Sequence, residues 1–220
     1  MPRTARIVFQ EYPHHITQRG NYRQQVFSKG SEYSIYLKWL NEYAIRYELK
    51  ILAYCLMPNH VHFAAIPYKP DSLSRTFNVC HMRYAQYFNK RNLVSGHLWQ
   101  GRFYSSVLED NHLYSVVRYI ENNPVRARLV KEAWDWKWSS ANAHLNNAKS
   151  ILHLIDVKKY ISDTDWAEYL HGSEEDMVIK TIRDRTLSGK PIGSDTFIER
   201  LERMSGRSLR ALPRGRPVQK

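Results

Sequence analysis

The chain of 220 residues is 43% hydrophobic, enough for one domain of ordinary size with an appended segment, and this composition excludes wholesale disorder. Lys and Arg outnumber Asp and Glu by 33 to 21, and the net charge of +12 favours a polyanionic partner, with nucleic acid the first expectation. The two cysteines, Cys55 and Cys80, form no CxxC pair, which excludes a disulfide scaffold and a cysteine zinc site. The longest apolar run, residues 51–57, is too short to cross a bilayer, and the first residues lead into no apolar signal region. We therefore expect no membrane association and a cytoplasmic location.

The first half of the chain alternates between strand-like and helix-like patterns. Residues 3–27 mix β-branched, aromatic and polar types and predict a strand that enters a loop. From Ser31, apolar residues recur every three or four positions, which predicts an amphipathic helix. Two short apolar segments, residues 51–57 and 61–66, are joined by Pro58-Asn59 and predict a β-hairpin.

The pattern continues with a second helix over about residues 72–91, a strand that ends near Leu108, and a third helix capped by Asp110. Pro124 ends or kinks this third helix, because proline lacks an amide donor and biases the preceding residue away from helical angles. The predicted order is β-α-β-β-α-β-α, and its two consecutive hairpin strands argue against a doubly wound parallel sheet. The expected fold class is α+β, a ferredoxin-like antiparallel sheet with helices on one face.

The sequence changes character after about residue 150. Two or three polar helical segments follow, including one over residues 194–204, and the stretch after Glu202 carries cations but no carboxylate. We therefore expect a first domain over residues 1–148 and a helical extension over residues 149–220 that ends in a basic tail. This tail is either a solvated, disordered end or a segment that holds DNA.

The sharpest local feature is the run Pro58-Asn-His-Val-His-Phe63. Successive side chains of a strand alternate between its faces, so His60 and His62 share one face while Val61 and Phe63 point into the core. Two imidazoles about 7 Å apart suit one divalent ion. The alternative is a pair of polar residues on the solvated face of a strand.

A tyrosine and an asparagine near the end of the third predicted helix form a second candidate cluster. Tyr119 and Asn123 lie one helical turn apart, so they share a face beside the apolar stripe of that helix. The asparagine oxygen is a suitable ligand for Mg²⁺ or Mn²⁺, and the phenol can act as a nucleophile where a cation stabilises its oxyanion. Alternatively, Tyr119 packs in the core and residues 122–124 are simply a helix stop.

Three segments in this order resemble the motifs of the single-tyrosine HUH transposases, and the similarity is strongest with the REP-associated branch of that family. The segments are Met57-Pro-Asn-His-Val-His-Phe63, Gly96-His-Leu-Trp-Gln-Gly-Arg-Phe103 and Tyr119-Ile-Glu-Asn-Asn-Pro-Val-Arg-Ala127. Residues 13–21 also resemble the first strand and loop of the family. The resemblance covers roughly residues 3–140 and does not explain residues 150–220, which the compact members lack.

By this resemblance, His60 and His62 correspond to the metal ligands of the family, Tyr119 to its nucleophile, and Asn123 to the amide ligand four residues later. Many mobile-element members carry glutamine at this last position, whereas asparagine is similar to the REP-associated branch. The resemblance implies a divalent metal, Mg²⁺ or Mn²⁺, and cleavage and rejoining of single-stranded, hairpin-associated DNA through a covalent 5′-phosphotyrosine. It also implies the ferredoxin-like sheet.

The expected partner is therefore single-stranded DNA with palindromic or hairpin repeats, bound by a monomer or a homodimer in the cytoplasm in association with the nucleoid. The candidate DNA contacts are Arg83, Trp99, Gln100, Arg102, Arg214 and Arg216. Alternatively, Trp99, Gln100 and Arg102 build a hairpin of the protein. The competing hypothesis is a non-catalytic single-stranded nucleic-acid-binding module derived from a transposase. The presence of both histidines, the tyrosine and the asparagine favours the enzyme.

Other aromatic and imidazole groups leave alternatives open. His14 and His15 either approach the metal or have a structural role at a strand end. Tyr114 precedes Tyr119 by five residues and lies on a different helical face, which makes it a poor second nucleophile. Three alternating tryptophans either pack against the body of the protein or stack on bases: Trp134, Trp136 and Trp138.

Overall fold

The computed structural model describes residues 6–161, 165–172 and 175–210. The strands are β1 (His14–Arg19), β2 (Leu49–Met57), β3 (His60–Pro67) and β4 (Tyr104–Val107). The helices are α1 (Gly30–Arg46), α2 (Ser72–Asn92), α3 (Asp110–Glu121), α4 (Asn123–Arg126), α5 (Ala141–Asn146), α6 (Trp166–His171), α7 (Asp176–Ser188) and α8 (Asp195–Ser205). The predicted order of elements up to α3 is confirmed.

The four strands form one antiparallel sheet in the order β2-β3-β1-β4. β2 and β3 form the predicted hairpin, in which Met57 pairs with His60 across the Pro58-Asn59 turn. A β-α-β-β-α-β chain order with this strand order is the ferredoxin-like arrangement, so the expected fold class is confirmed.

The helices α1 and α2 cover one face of the sheet. Val61, Phe63 and Ala65 of β3 point into the core on this side, as the two-residue period of a strand requires. The helices contribute a matching apolar stripe that includes the fully buried Tyr36 and Phe77.

The opposite face of the sheet is covered as well. α3 packs on β2 and β3, and α7 packs on β1 and β4. Ala64 and Ile66 of β3 point into this second core, together with Val116 and Ile120 of α3. The expectation of helices on one face therefore describes only α1 and α2. Because the apolar stripe of α3 also has to be buried, a second helical layer forms on the other side.

The extension shares the core of the first part of the chain. Leu154 forms a bridge with Ile51, and Ile192 forms one with Leu108. Trp166 of α6 is buried in the second core with side chains of α3. The boundary at residue 148 stays a prediction, and packing across it is continuous. None of the helices within the described ranges is long and apolar enough to cross a membrane.

Candidate active site

The histidine pair lies on β3 as the strand period predicts. His60 and His62 share the face that carries α3 and α7, and their ring centroids are 5.0 Å apart. The Nδ1 of His60 lies 2.6 Å from the Oδ1 of Asn59, which leaves the Nε2 of His60 as the nitrogen that can bind a metal. His62 is 5% exposed, whereas His60 is half-buried, so the site meets solvent beside His60.

Tyr119 lies against His62. Its ring is perpendicular to that of His62, with centroids 5.5 Å apart, and it is 3% exposed. The helix breaks between Glu121 and Asn123, as Pro124 predicts, and the short α4 begins at Asn123. The Nδ2 of Asn123 donates to the carbonyl of Tyr119 at 3.2 Å, which leaves its Oδ1 as an acceptor. The predicted tyrosine and asparagine are therefore neighbours.

A buried carboxylate fixes the end of α3 that carries Tyr119. Glu121 is fully buried, and its Oε2 accepts a hydrogen bond from the indole of Trp166 at 3.0 Å. Its Oε1 accepts from the hydroxyl of Ser140 and contacts the Nδ1 of His144 at 2.7 Å. Two residues after the tyrosine, α3 is thus tied to both α5 and α6.

A third histidine, His15, stands between the pair and the extension. Its ring is nearly parallel to that of His62, with 5.2 Å between centroids, and its Nε2 lies 2.9 Å from the Nδ1 of His62. The Nδ1 of His15 contacts the hydroxyl of Thr186 on α7 at 2.7 Å. His14 points elsewhere: its Nδ1 lies 2.8 Å from the carbonyl of Tyr12, which is the structural role at a strand end.

Two arginines contact different groups of Tyr119. The guanidinium of Arg126 lies 4.3 Å from the Tyr119 ring centroid and donates to the Tyr119 carbonyl at 2.6 Å. The Nε of Arg183, on α7, donates to the Tyr119 hydroxyl at 3.4 Å. Arg19, at the end of β1, is a third arginine near His60. The positive charges of Arg19, Arg126 and Arg183 all lower the pKa of this histidine.

The three histidines of the site are held neutral. Burial, together with the charges of the arginines, lowers the pKa of His60 to about 3, and burial lowers the pKa of His15 to about 3. Burial, the other two histidines, Arg126 and Arg19 hold the pKa of His62 well below its usual value. Neutral imidazole is the form that binds a metal.

The donor set fits a divalent ion. His60 and His62 can each offer Nε2, and Asn123 can offer Oδ1. Among the described residues, no group of three or more His, Cys, Asp or Glu side chains is arranged to hold a metal. The amide of Asn123, beside Tyr119, is the candidate for a third protein donor.

The predicted DNA contacts lie in different parts of the structure. Trp99 is 7% exposed in the first core and donates its indole N–H to the carbonyl of His81 at 3.1 Å, which is a structural role. Arg83 lies on α2, in the helical layer on the other side of the sheet, where it stacks on Trp39 and contacts the hydroxyl of Tyr43. Gln100 and Arg102 are exposed. Arg214 and Arg216 lie outside the described residues.

The other aromatic residues considered from the sequence, Tyr114 and the alternating tryptophans, have packing roles. Tyr114 packs on Tyr169 and accepts from Arg118 at 2.6 Å, on a face of α3 away from the histidines. Trp136 donates to the carbonyl of Leu56, and Trp138 stacks on Tyr33, so the tryptophans that follow α4 pack against the body of the protein.

Sequence reasoning missed Arg183 and Thr186, which reach the site from the extension. The two residues follow Tyr119 by more than 60 positions, and no local motif identifies them. Their spacing of three places both on one face of α7, and it is the one feature of the sequence that points to a shared role. The sheet topology brings His15 to the site, because its strand β1 pairs directly with β3, which carries the histidine pair.

Comparisons with known proteins show the family and the fold of the chain. The chain is similar to a solved REP-associated tyrosine transposase bound to a REP hairpin, with a TM-score of 0.54 and 20% identity over 76% of this chain and 97% of that one. A putative transposase from Deinococcus radiodurans R1 matches with a TM-score of 0.38 and 22% identity over 56% of this chain and 97% of that one. No curated protein matches the sequence. The family model for IS200-like transposases matches residues 8–123, more than half of the chain and the whole span from β1 to Asn123. The chain belongs to the IS200-like transposase family.

Proposed function

We propose that the protein cleaves and rejoins single-stranded DNA beside a hairpin through a covalent bond to Tyr119. The observation that carries this proposal is the position of Tyr119 against His62, next to Asn123 and in contact with two guanidinium groups. The hairpin is proposed as substrate because the solved REP-associated transposase is bound to one.

In the proposed reaction, the oxygen of Tyr119 forms a bond to phosphorus, and the bond from phosphorus to the 3′ oxygen breaks. The tyrosine proton passes to solvent, and the leaving 3′ oxygen takes a proton from solvent. The product is a 5′-phosphotyrosyl strand and a free 3′-hydroxyl. Because one phosphoester replaces another, attack by a 3′-hydroxyl on the phosphotyrosine rejoins the strands without ATP.

His60, His62 and Asn123 would hold a divalent ion, Mg²⁺ or Mn²⁺. When bound, the ion polarises the scissile phosphodiester and offsets the negative charge on its oxygens. The neutral state of both imidazoles suits this role, because a protonated ring has no lone pair for a metal.

Arg126 and Arg183 are placed to assist the same step. The guanidinium of Arg183, beside the tyrosine hydroxyl, can stabilise the charge on the attacking oxygen, and that of Arg126, over the ring, adds positive charge nearby. Arg183 is exposed and lies toward the solvent side of the site, so a phosphate that reaches His60 also reaches this side chain.

A basic cleft of about 430 Å³ lies where residues 100–105 meet the end of α7. Its polar lining includes Arg6, Gln100, Arg102, Tyr104, Lys190 and Arg207, and none of the described residues that line it is acidic. Burial and the neighbouring Arg102 lower the pKa of Arg6 to about 10, so these like charges lie close together. Leu187, which follows Thr186 in the sequence, is one of the residues that line the cleft. We propose that the strand leaving the active site lies here, with phosphates on the cations and a base on Tyr104.

The test is the capture of a covalent adduct. A 3′-labelled hairpin oligonucleotide from inverted repeats that flank the gene is incubated with protein and Mn²⁺ and separated on a denaturing gel. We expect a labelled protein band for the wild type and for the control Tyr114→Phe, and none for Tyr119→Phe, which should still bind the oligonucleotide. An adduct at the wild-type rate in Tyr119→Phe would refute the assignment. Binding without an adduct in the wild type would favour the non-catalytic binding module.

A further inference from the structure

A chain of hydrogen bonds runs from α7 to the metal-binding face of His62. The hydroxyl of Thr186 lies 2.7 Å from the carbonyl of Ile182 and 2.7 Å from the Nδ1 of His15. The Nε2 of His15 lies 2.9 Å from the Nδ1 of His62. Thr186 and His15 are 1% exposed, so water does not compete for these contacts.

The direction of each bond follows from the donors available. A carbonyl oxygen can only accept, so the single hydroxyl hydrogen of Thr186 points to Ile182. The Nδ1 of His15 must then be the donor to Thr186. A neutral imidazole has one donor and one acceptor nitrogen, so the Nε2 of His15 accepts from the Nδ1–H of His62. This leaves the Nε2 of His62 unprotonated, with its lone pair directed away from His15.

We propose that His15 and Thr186 are positioning residues that hold the ligand His62 in the tautomer whose Nε2 can bind a metal. The proposal rests on the metal-binding role of His62 in the proposed function. If the hydroxyl hydrogen of Thr186 pointed to His15 instead, the bond to Ile182 would be lost and both hydrogen bonds of His15 would reverse. His62 would then carry its proton on Nε2, where it excludes a metal. The hydroxyl of Thr186 thus decides the form of a ring two hydrogen bonds away.

The placement of Thr186 gives the extension a function. The residue lies outside the segment that matches the family model, which ends at residue 123. It is nevertheless the partner that orients His15, because β1 presents this histidine to α7 while β3 presents His62 to β1. The extension therefore contributes to the state of a ligand that the matched segment supplies.

Two variants separate this role from packing. Thr186→Val keeps the shape of the side chain but removes both hydrogen bonds, and Thr186→Ser keeps both. The matched control is Thr181→Val, because exposed Thr181 on the same helix makes the same bond to the carbonyl four residues earlier, at 2.9 Å, and does not contact the site. Folding of each variant is checked by circular dichroism.

The first measurement is the tautomer of His62 in the metal-free protein, read from two-bond ¹H–¹⁵N correlations of the imidazole and assigned with His62→Asn. We expect the Nδ1–H form in the wild type, Thr186→Ser and Thr181→Val, and a mixture of forms in Thr186→Val. A wild-type ring with Nε2–H, or an unchanged tautomer in folded Thr186→Val, overturns the proposal.

The second measurement is the affinity for Mn²⁺ alone, followed by the loss of the free-ion EPR signal. We expect Thr186→Val to bind at least about 10-fold more weakly than the wild type, and Thr186→Ser and Thr181→Val to bind as the wild type does. Equal affinity in Thr186→Val also overturns the proposal. If the wild type binds no Mn²⁺, the proposed metal function fails, whereas the tautomer measurement still decides whether the hydrogen-bond chain operates.

Discussion

Removal of the guanidinium that faces the nucleophile should slow the chemical step and leave DNA binding nearly intact. In Arg183→Gln the donor to the Tyr119 hydroxyl is lost. A donor aimed at a developing oxyanion in a buried site contributes about 10²- to 10³-fold to the rate. Arg183 is exposed and its Nε is 3.4 Å from the tyrosine oxygen, so solvent screens part of this effect. We therefore expect adduct formation to slow by about 10- to 100-fold in single-turnover experiments.

A substrate with a neutral methylphosphonate at the scissile position tests whether Arg183 acts on the phosphate charge. If it does, the variant and the substrate each lose rate, but the combined loss is far smaller than the product of the two. Arg185→Gln is the control, because Arg185 is about 200° around the same helix from Arg183. Independent, multiplicative losses would show that Arg183 acts on the tyrosine oxygen and not on the phosphate charge. A wild-type rate in Arg183→Gln would refute its role in the chemical step. A variant faster than the wild type would show instead that α7 obstructs the site.

Three further changes have distinct expected results. Chelation by EDTA or the change His62→Ala should abolish adduct formation. Added Mg²⁺ or Mn²⁺ should restore it in the chelated wild type but not in His62→Ala. Full activity in EDTA would show that the reaction needs no divalent metal. Arg102→Gln should reduce the slope of log affinity for single-stranded DNA against log salt concentration by about 0.7, whereas Arg83→Gln should leave this slope unchanged. Equal slopes in the two variants would show that DNA does not bind in the cleft. Burial raises the pKa of Glu32, but hydrogen bonds from backbone amides outweigh this effect and lower the pKa overall. The ionised carboxylate therefore stabilises the fold fully above the unfolded-state pKa of 4.5. This stabilisation is lost as the pH falls through the folded-state pKa. In urea titrations at pH 7, Glu32→Gln should therefore lose about 2 kcal/mol of unfolding free energy, a deficit that closes in acid, while the exposed Glu42→Gln should change by less than about 0.5 kcal/mol.

The features that the sequence predicts correctly depend on short-range periodicity. The strand period places His60 and His62 on one face, and the spacing of four between Tyr119 and Asn123 brings them together even though α3 ends between them. The kink does not separate the two residues, because the amide of Asn123 bonds back to the carbonyl of Tyr119.

The features that it missed depend on burial and long-range packing. Trp99 lies in a motif with exposed polar and cationic residues, and nothing in the spacing distinguishes an indole that stacks on bases from one that completes a core. The extension looked like an appendage because its helices are polar in sequence. Its few apolar side chains, such as Ile182 and Ile192, are nevertheless buried in the core that also contains Tyr119.

This shared core determines how the extension has to be studied. Deleting residues 149–220 would remove Thr186 and Arg183 from the site, but it would also expose the second core and strip the buried Glu121 of its indole partner. A buried carboxylate that loses a hydrogen-bond donor destabilises the fold, and here it would do so two residues from Tyr119. An inactive truncation would thus not distinguish lost chemistry from a displaced nucleophile. Point changes on the face of α7 that carries residues 183 and 186 keep the core intact, and they are the changes that can assign catalysis to the extension.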